Sequence, residues 1–196
     1  MSSDRGRPGP LAIRVFISVD MDPTEKLMEM QEILSSSGAD LRIVPPENLH
    51  VTLQFLGDVD EGKIPRLKEI LTKIASKYRP AELSLRGLGA FPSNSYIKVV
   101  WVGMEGAGSL TDMSRELGGE IARLGLKTDR KGFRPHLTLA RVRSAQNIGG
   151  LKDMLARNDP WELGGQTVME LKLKRSVLTP GGPVYSDLEV ARLGQL

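Results

Sequence analysis

Two short motifs, each a histidine followed two residues later by a threonine, are the residues best suited to chemistry. They are His50-Val51-Thr52 and His136-Leu137-Thr138, and they contain both histidines of the chain. Each lies in a stretch of alternating apolar and polar residues that is typical of a strand, so the histidine and its threonine share one face. Two such strands side by side would bring two imidazoles and two hydroxyls to one groove.

These residue types point to acid–base chemistry at phosphorus. An imidazole titrates near neutral pH, so one histidine can accept a proton while the other donates one. Threonine hydroxyls can donate hydrogen bonds to the non-bridging oxygens of a phosphoryl group. We therefore predict His50 and His136 as the catalytic pair, with Thr52 and Thr138 binding phosphate. The competing interpretation is that each histidine is an ordinary surface or core residue of its strand with no catalytic role. The matched second copy of the motif argues against it.

The remaining composition narrows the class of protein. The chain has no cysteine, which excludes disulfides, thiolate catalysis and cysteine-ligated zinc. A metal held by the two histidines would need carboxylates, and none lies at short spacing on either strand face. We therefore expect neither a metal nor a cofactor. The net charge of +3 is compatible with an anionic substrate, but it falls short of the clustered basic charge of a duplex-DNA binder.

The length of 196 residues suits one domain, or two small lobes that share a core. Residues 1–10 are polar and rich in glycine and proline, which predicts a disordered tail ahead of a single bilobal domain over 11–196. No apolar run reaches the roughly 18 residues that would span a bilayer. With no recognisable signal peptide, a cytoplasmic location and a monomer are the default expectations.

The patterning predicts a mixture of strands and helices without a regular βαβ rhythm. Two halves share an outline, each with one His-x-Thr strand, so we expect an α+β fold of two related lobes with mostly antiparallel sheets. The first helix is predicted to begin at Asp22-Pro23, with Pro23 at the first helical position. Gly125 is predicted as a helix C-cap. Strands are predicted over 11–19, 41–44, 49–56, 81–88, 95–102, 134–142, 168–178 and 185–190. The first helix is predicted to end near residue 35, and further helices are predicted over 64–74, 110–124 and 148–156.

Six segments occur in an order that makes the sequence recognisable: RVFISVD, PENLHVTLQFLGDV, GLGAFPS, WVGM, FRPHLTLARV and SVLTPGGPVYSDL. From about Ile13 to Leu193 the chain resembles the 2H phosphoesterase superfamily, and within it the RNA 2',3'-cyclic phosphodiesterases of the 2'-5' RNA ligase type. The resemblance implies a bilobal fold around a central cleft. It implies the opening of a terminal 2',3'-cyclic phosphate of RNA to a 2'-phosphate. It also implies that His50 donates a proton to the leaving 3'-oxygen and that His136 activates water.

Four further residues are candidates for contact with the phosphate or with an RNA base. Arg141 matches a family arginine near the phosphate, yet simple alternation places it opposite His136, so it reaches the cleft only if the strand bends or bulges. Otherwise it is a solvated arginine at a strand end. Arg134 shares the face of His136 by alternation and could help to bind phosphate. Phe55 and Phe133 flank the motifs, where either could stack on an RNA base or belong to the core.

Three functions are open at this point. The first is hydrolysis of RNA 2',3'-cyclic phosphate ends, with tRNA fragments as one source of substrate. The second is 2'-5' ligation of tRNA halves, or the opening of a small cyclic nucleotide. The third is a non-catalytic RNA- or nucleotide-binding module, against which the two intact motifs argue. The chain has no Walker-type glycine loop, which argues against ATP-driven ligation. Ser176 and Tyr185 are interpreted as parts of a structural hairpin.

Overall fold

The computed structural model describes residues 11–128, 132–157 and 159–195, so the predicted tail over 1–10 lies outside the described residues. The described residues form nine strands and four α-helices, which confirms the predicted α+β class. In chain order these are β1 (Ala12–Asp20), α1 (Glu25–Ser35), β2 (Leu41–Ile43), β3 (His50–Asp60), α2 (Ile64–Ala75), β4 (Ala81–Pro92), β5 (Ile97–Glu105), α3 (Gly108–Arg123), β6 (His136–Val142), α4 (Gly149–Ala156), β7 (Glu162–Val168), β8 (Glu170–Thr179) and β9 (Gly182–Arg192).

The strands form two antiparallel sheets with matching strand order. The first sheet runs β3-β1-β8-β9, and the second runs β2-β6-β5-β4-β7. When β1 is matched with β5 and β3 with β6, the order of the first sheet repeats in the second, with β2 added at one edge. Each sheet contains strands from both halves of the chain. The two lobes are therefore related as predicted, and they are interlocked rather than separate.

The helices cover the outer faces of the two sheets. Helices α2 and α3 pack on the first sheet, and α1 and α4 pack on the second. Val51 on β3 and Leu137 on β6 are fully buried within one apolar cluster that draws on both sheets. Burying such a side chain contributes about 1.5–3 kcal/mol. Because side chains alternate along a strand, this anchoring turns the polar residues of β3 and β6 toward the cleft between the sheets. No helix in the described part of the chain is long and apolar enough to cross a membrane.

The first helix begins two residues later than predicted. It starts at Glu25, and Thr24 is its N-cap, because the Thr24 hydroxyl accepts a hydrogen bond from the Leu27 amide at 3.3 Å. Pro23 therefore lies outside the helix, and its prediction as the first helical residue is wrong. Gly125 ends α3 as predicted, with φ of 71° and its amide bonded to the Ala122 carbonyl.

Strand β7 was not predicted. Its sequence, ELGGQTV, contains two glycines and no clean alternation, so it carries little strand signal. It forms because β4 offers an unpaired edge, and the two strands pair from Ala81 opposite Val168 to Arg86 opposite Glu162. Tertiary pairing outweighs the weak local preference at this position.

Candidate active site

The two histidines line one cavity of about 200 Å³ between the two sheets. His50 and Thr52 enter it from β3, and His136 and Thr138 enter it from β6. The two strands belong to different sheets, so the four side chains meet only when both lobes are assembled. The structure therefore brings together all four residues of the paired motifs.

Both imidazoles are held in the same tautomer by the backbone. The Nδ1 atom of His50 is 2.6 Å from the carbonyl oxygen of Asn48, and Nδ1 of His136 is 2.7 Å from that of Arg134. A carbonyl oxygen only accepts hydrogen bonds, so Nδ1 must carry the hydrogen in each ring. The Nε2 atom of each histidine is then the nitrogen free to take or give a proton. The carbonyl lies two residues before the histidine in both cases, so the same local hydrogen bond fixes the tautomer of both rings.

Aromatic side chains and charges surround His50. Its ring centroid lies 5.1 Å from that of Phe16 and 5.3 Å from that of Tyr185. Burial is the largest influence and lowers the pKa of His50, while the hydrogen bond to the Asn48 carbonyl and the charge of Asp20 act in the opposite direction. The burial of the His50 ring therefore favours its neutral form.

His136 has a different aromatic setting. Its ring centroid lies 4.9 Å from that of Phe91 and 6.3 Å from that of Trp101, both at steep interplanar angles. The Trp101 ring occupies the space beside Gly89, where an added Cβ would lie 2.2 Å from the ring. Gly89 in the GLGAFPS segment thus makes room for a side chain that helps to orient His136.

A β-bulge follows each motif threonine. The extra residue is Leu53 in β3 and Leu139 in β6, and neither has a partner in the neighbouring strand. A bulge shifts the alternation by one residue. At each bulge two consecutive residues are buried, and the next residue, Phe55 or Arg141, returns to the polar side. Arg141 therefore lines the cavity with the two histidines, despite the alternation that placed it opposite His136.

The other predicted residues lie in a wider groove that adjoins the cavity. Phe55, Phe133 and Arg134 line this groove, and it shares Thr52 and His136 with the cavity. The side chain of Phe55 is 49% exposed, so its alternative interpretation as a core residue is wrong. Phe133 is half-buried and packs against the core. Arg134 is exposed and precedes β6, so its proximity to the cavity does not come from strand alternation.

Two cavity residues were missed by the sequence analysis. Tyr185 pairs with Ser176 in the β8–β9 hairpin, as predicted, but it also lines the cavity. Burial raises the pKa of Tyr185, so its hydroxyl stays protonated and can donate a hydrogen bond. Arg42 on β2 lines the cavity, lies opposite Arg141 in the β2–β6 pair, and donates to the carbonyl of Gly181 in the β8–β9 turn. Arg42 carried no signal, and Tyr185 was interpreted only as part of the hairpin, because both contacts join segments far apart in sequence.

A network of charges lies beside His50 on the first sheet. The Lys174 ammonium is 2.9 Å from Asp20 and 2.9 Å from Asp187, and Lys172 bonds the same Asp20 oxygen at 2.9 Å. Burial favours the neutral acid, but the hydrogen bonds from Lys174 and Lys172 outweigh it and lower the pKa of Asp20. Asp20 is also the residue directly opposite His50 in the β1–β3 pair.

The buried ammonium of this network is expected to matter for stability. Lys174 is only 7% exposed, so Lys174→Met removes the buried ammonium and leaves Asp20 and Asp187 with Lys172 as their one shared cation in the network. Breaking a buried pair costs about 3–5 kcal/mol. Because these carboxylates keep about a third of their surface in water, we expect a loss of about 1–3 kcal/mol in the free energy of unfolding, measured by urea denaturation. Lys68→Met, which breaks an exposed pair with Glu189, is the control and should cost under about 1 kcal/mol. Equal losses would contradict the assignment.

Two matching sheets that each bring one His-x-Thr strand to a shared cleft define the two-histidine class of phosphoesterases. The chain belongs to the LigT-like phosphoesterase family, whose model matches it twice, over residues 17–101 and 102–185. Each match contains one motif at nearly the same distance from its start. The double match agrees with the repeated strand order of the two sheets.

The chain is similar over most of its length to named relatives and to solved structures. It is 40% identical over 185 residues to a Methanothermobacter thermautotrophicus protein named RNA 2',3'-cyclic phosphodiesterase, covering 93% of this chain and 100% of the relative. An Archaeoglobus fulgidus protein of the same name is 36% identical, with 91% and 99% covered. A crystal structure of a Thermus thermophilus protein superposes with a TM-score of 0.80 at 29% identity, covering 93% and 98%. Escherichia coli LigT complexed with 3'-AMP gives 0.72 at 27%, covering 94% and 99%.

Proposed function

We propose that this protein hydrolyses the terminal 2',3'-cyclic phosphate of RNA to a 2'-phosphate by acid–base catalysis that needs no metal. The observation that carries the proposal is the matched pair of imidazoles, each with Nε2 free, lining one cavity beside two threonine hydroxyls. The names of the relatives support an RNA cyclic phosphate as the substrate. The crystallised complex of E. coli LigT with 3'-AMP supports a site of nucleotide size.

The proposed reaction is an in-line displacement at phosphorus. Nε2 of His136 accepts a proton from water as the water oxygen bonds to phosphorus. The bond from phosphorus to the 3'-oxygen breaks, and Nε2 of His50 donates a proton to that oxygen. The product carries a 2'-phosphate and a 3'-hydroxyl, and proton exchange with solvent restores both histidines.

The groups around the phosphate stabilise the charge that develops in the transition state. We propose that the hydroxyls of Thr52 and Thr138 donate to the non-bridging oxygens and that the Arg141 guanidinium binds the same oxygens. One preorganised donor of this kind is worth about 10²–10³-fold in rate. A charge-assisted hydrogen bond from arginine adds both affinity and orientation.

The two histidines need different roles, although their motifs are the same. Asp20 lies opposite His50 in β1, whereas Gly103 occupies the matching position opposite His136 in β5. A carboxylate beside His50 stabilises its imidazolium form, which supports His50 as the donor. Burial destabilises the imidazolium form of His50, and the negative charge of a bound phosphodiester stabilises it.

The assignment of donor and acceptor can be tested with an activated ester. A nucleoside phosphodiester that loses 4-nitrophenolate needs no acid, because this leaving group departs as a stable anion. We therefore expect His50→Ala to lose much less activity on the aryl ester than on the cyclic phosphate, as followed by 4-nitrophenolate absorbance. His136→Ala should lose comparable activity on both. If the aryl ester rescues His136→Ala instead, the two roles are reversed.

The adjoining groove is the proposed path for the RNA. We propose that Phe55 and Phe133 stack on bases next to the cyclic phosphate and that Arg134 contacts the phosphate or the backbone. An aromatic ring that stacks on a base contributes about 1–3 kcal/mol with little dependence on sequence. This arrangement favours a single-stranded end of any sequence. The tRNA fragments, the monomeric state and the cytoplasmic location stay predictions from the sequence.

The proposed activity is tested with a short RNA that ends in a 2',3'-cyclic phosphate. We expect complete conversion to a phosphomonoester end in the presence of EDTA, resolved by gel electrophoresis with and without phosphatase treatment. A second arm adds a partner strand with a 5'-hydroxyl. Dominant joined product would favour 2'-5' ligation over hydrolysis. Binding without conversion would leave a non-catalytic RNA-binding protein.

A further inference from the structure

Five polar side chains are buried in the described residues, and three of them lie at the two bulges. The three side chains at the bulges are Gln31, Gln54 and Ser114. The other two, Ser18 and Lys174, lie on the first sheet near His50. A buried polar group is costly unless it is hydrogen-bonded, so its partners indicate what it stabilises. The donor groups of these three side chains bond backbone carbonyls at the two bulges, just after β2 and in α3, and the Gln54 amide also donates to the Ser114 hydroxyl.

In the second sheet the bulge is held by helix α1. The side-chain amide of Gln31 donates to the carbonyl of Leu139, the bulged residue, at 3.2 Å. The same nitrogen donates to the carbonyl of Val44, just after β2, at 2.8 Å. The backbone amide of Val44 also donates to the Leu139 carbonyl, at 2.9 Å. The two hydrogens of the Gln31 amide therefore reinforce a backbone link between the bulge of β6 and the end of β2.

In the first sheet the bulge is held by helix α3. The Ser114 hydroxyl donates to the carbonyl of Leu53, the bulged residue, at 2.8 Å. The amide of Gln54, the next residue in β3, donates to the Ser114 carbonyl at 2.7 Å. In the described part of the chain β3 has a neighbouring strand on one side only, so Ser114 takes the place of a strand on the other side.

Gln31 and Ser114 occupy equivalent positions in the two halves. Gln31 lies eleven residues after Asp20, the partner of His50, and Ser114 lies eleven residues after Gly103, the partner of His136. Each helix comes from the half of the chain that does not carry the bulge it holds. Each half therefore makes an equivalent contact with the bulge of the other half, one through Gln31 and the other through Ser114.

We propose that Gln31 and Ser114 are positioning residues that hold the two bulges and so turn Arg141 and Phe55 toward the substrate. The inference rests on the proposed function, because it assigns Arg141 to the phosphate and Phe55 to the RNA. Without the extra residue, the period of two along a strand would turn Phe55 and Arg141 to the opposite face. The helices would then control substrate binding from outside the cleft.

Double-mutant cycles test this pairing. Gln31→Met has a similar length but no donor, and we expect it to lower kcat/KM on the cyclic-ended RNA about 10-fold. In an Arg141→Ala background it should cause no further loss, because the bulge then has no arginine to position. In a Phe55→Ala background its loss should multiply. Ser114→Ala should show the reverse pattern, non-additive with Phe55→Ala and multiplicative with Arg141→Ala.

Two controls separate positioning from loss of folding. Ser114→Thr keeps the hydroxyl and should restore most of the activity that Ser114→Ala loses, and circular dichroism should show all variants folded at the assay temperature. Losses that multiply in all four combinations, or no rescue by Ser114→Thr, would overturn the proposal. A crystal structure of Gln31→Met provides a readout independent of turnover. We expect Arg141 to leave the cavity, and a retained bulge would overturn the inference even if the wild type proved inactive on RNA.

Discussion

Replacing His50 or His136 by alanine should lower kcat/KM on the cyclic-ended RNA by about 10³-fold or more. A positioned acid or base contributes about 10²–10⁴-fold, and in the proposed displacement each histidine serves one proton transfer. The double variant should lose little more than either single variant, because residues that act as a unit are strongly non-additive. The measurement is initial rate against substrate concentration for the three variants and the wild type.

The control for the histidine variants is a change outside the cleft. Tyr96 is 60% exposed just before β5 and lines neither the cavity nor the groove, so Tyr96→Ala should leave kcat/KM within about twofold, the range of a surface substitution. Retained turnover in the double histidine variant would contradict the acid–base account. So would single losses that multiply fully, since they would indicate two independent contributions.

Thr52→Val and Thr138→Val should each lower kcat by about 10²-fold. Valine keeps the shape and the β-branched preference for a strand, so the change removes only the hydroxyl. The two threonines come from different lobes, so we expect them to bind different non-bridging oxygens and their losses to multiply. Steady-state kinetics on the same RNA would separate kcat from KM.

Serine and a distant threonine supply the controls for the threonine variants. Thr52→Ser keeps a donor and should retain activity to within about 10-fold. Thr72 is exposed on α2, far from the cleft face, so Thr72→Val should have no effect on kcat. A rise in KM with unchanged kcat would mean that the hydroxyls bind the ground state and the transition state equally.

Strand alternation was sufficient to predict that the histidine and threonine of each motif share one face, and the matched pair of motifs predicted that the four side chains meet in one cavity. Val51 and Leu137 face the core, so His50 and His136 had to face the cleft together with their threonines. The related lobes and the α+β class followed from the same pattern and from the order of the segments. These features are local, since each depends on residues within a few positions of one another.

The features that strand alternation did not predict depend on contacts between distant segments. Arg141 was a candidate through the family resemblance, and it reaches the cavity because a bulge at Leu139 breaks the alternation. The side chain that we propose to hold this bulge comes from α1. Tyr185 reaches His50 only through the pairing of β8 with β1. No periodicity in a single segment carries this information, because the cause lies elsewhere in the chain.

The position of the phosphate in the product tests the central claim most directly. The wild type is incubated in ¹⁸O-labelled water, with EDTA, with an RNA ending in a 2',3'-cyclic phosphate, and the nucleotide at the end is released and analysed by ³¹P NMR and mass spectrometry. We predict a 2'-phosphate that carries one label, because in the proposed reaction His136 activates water that bonds to phosphorus as the 3'-oxygen leaves. A 3'-phosphate, or an unlabelled product, would contradict it.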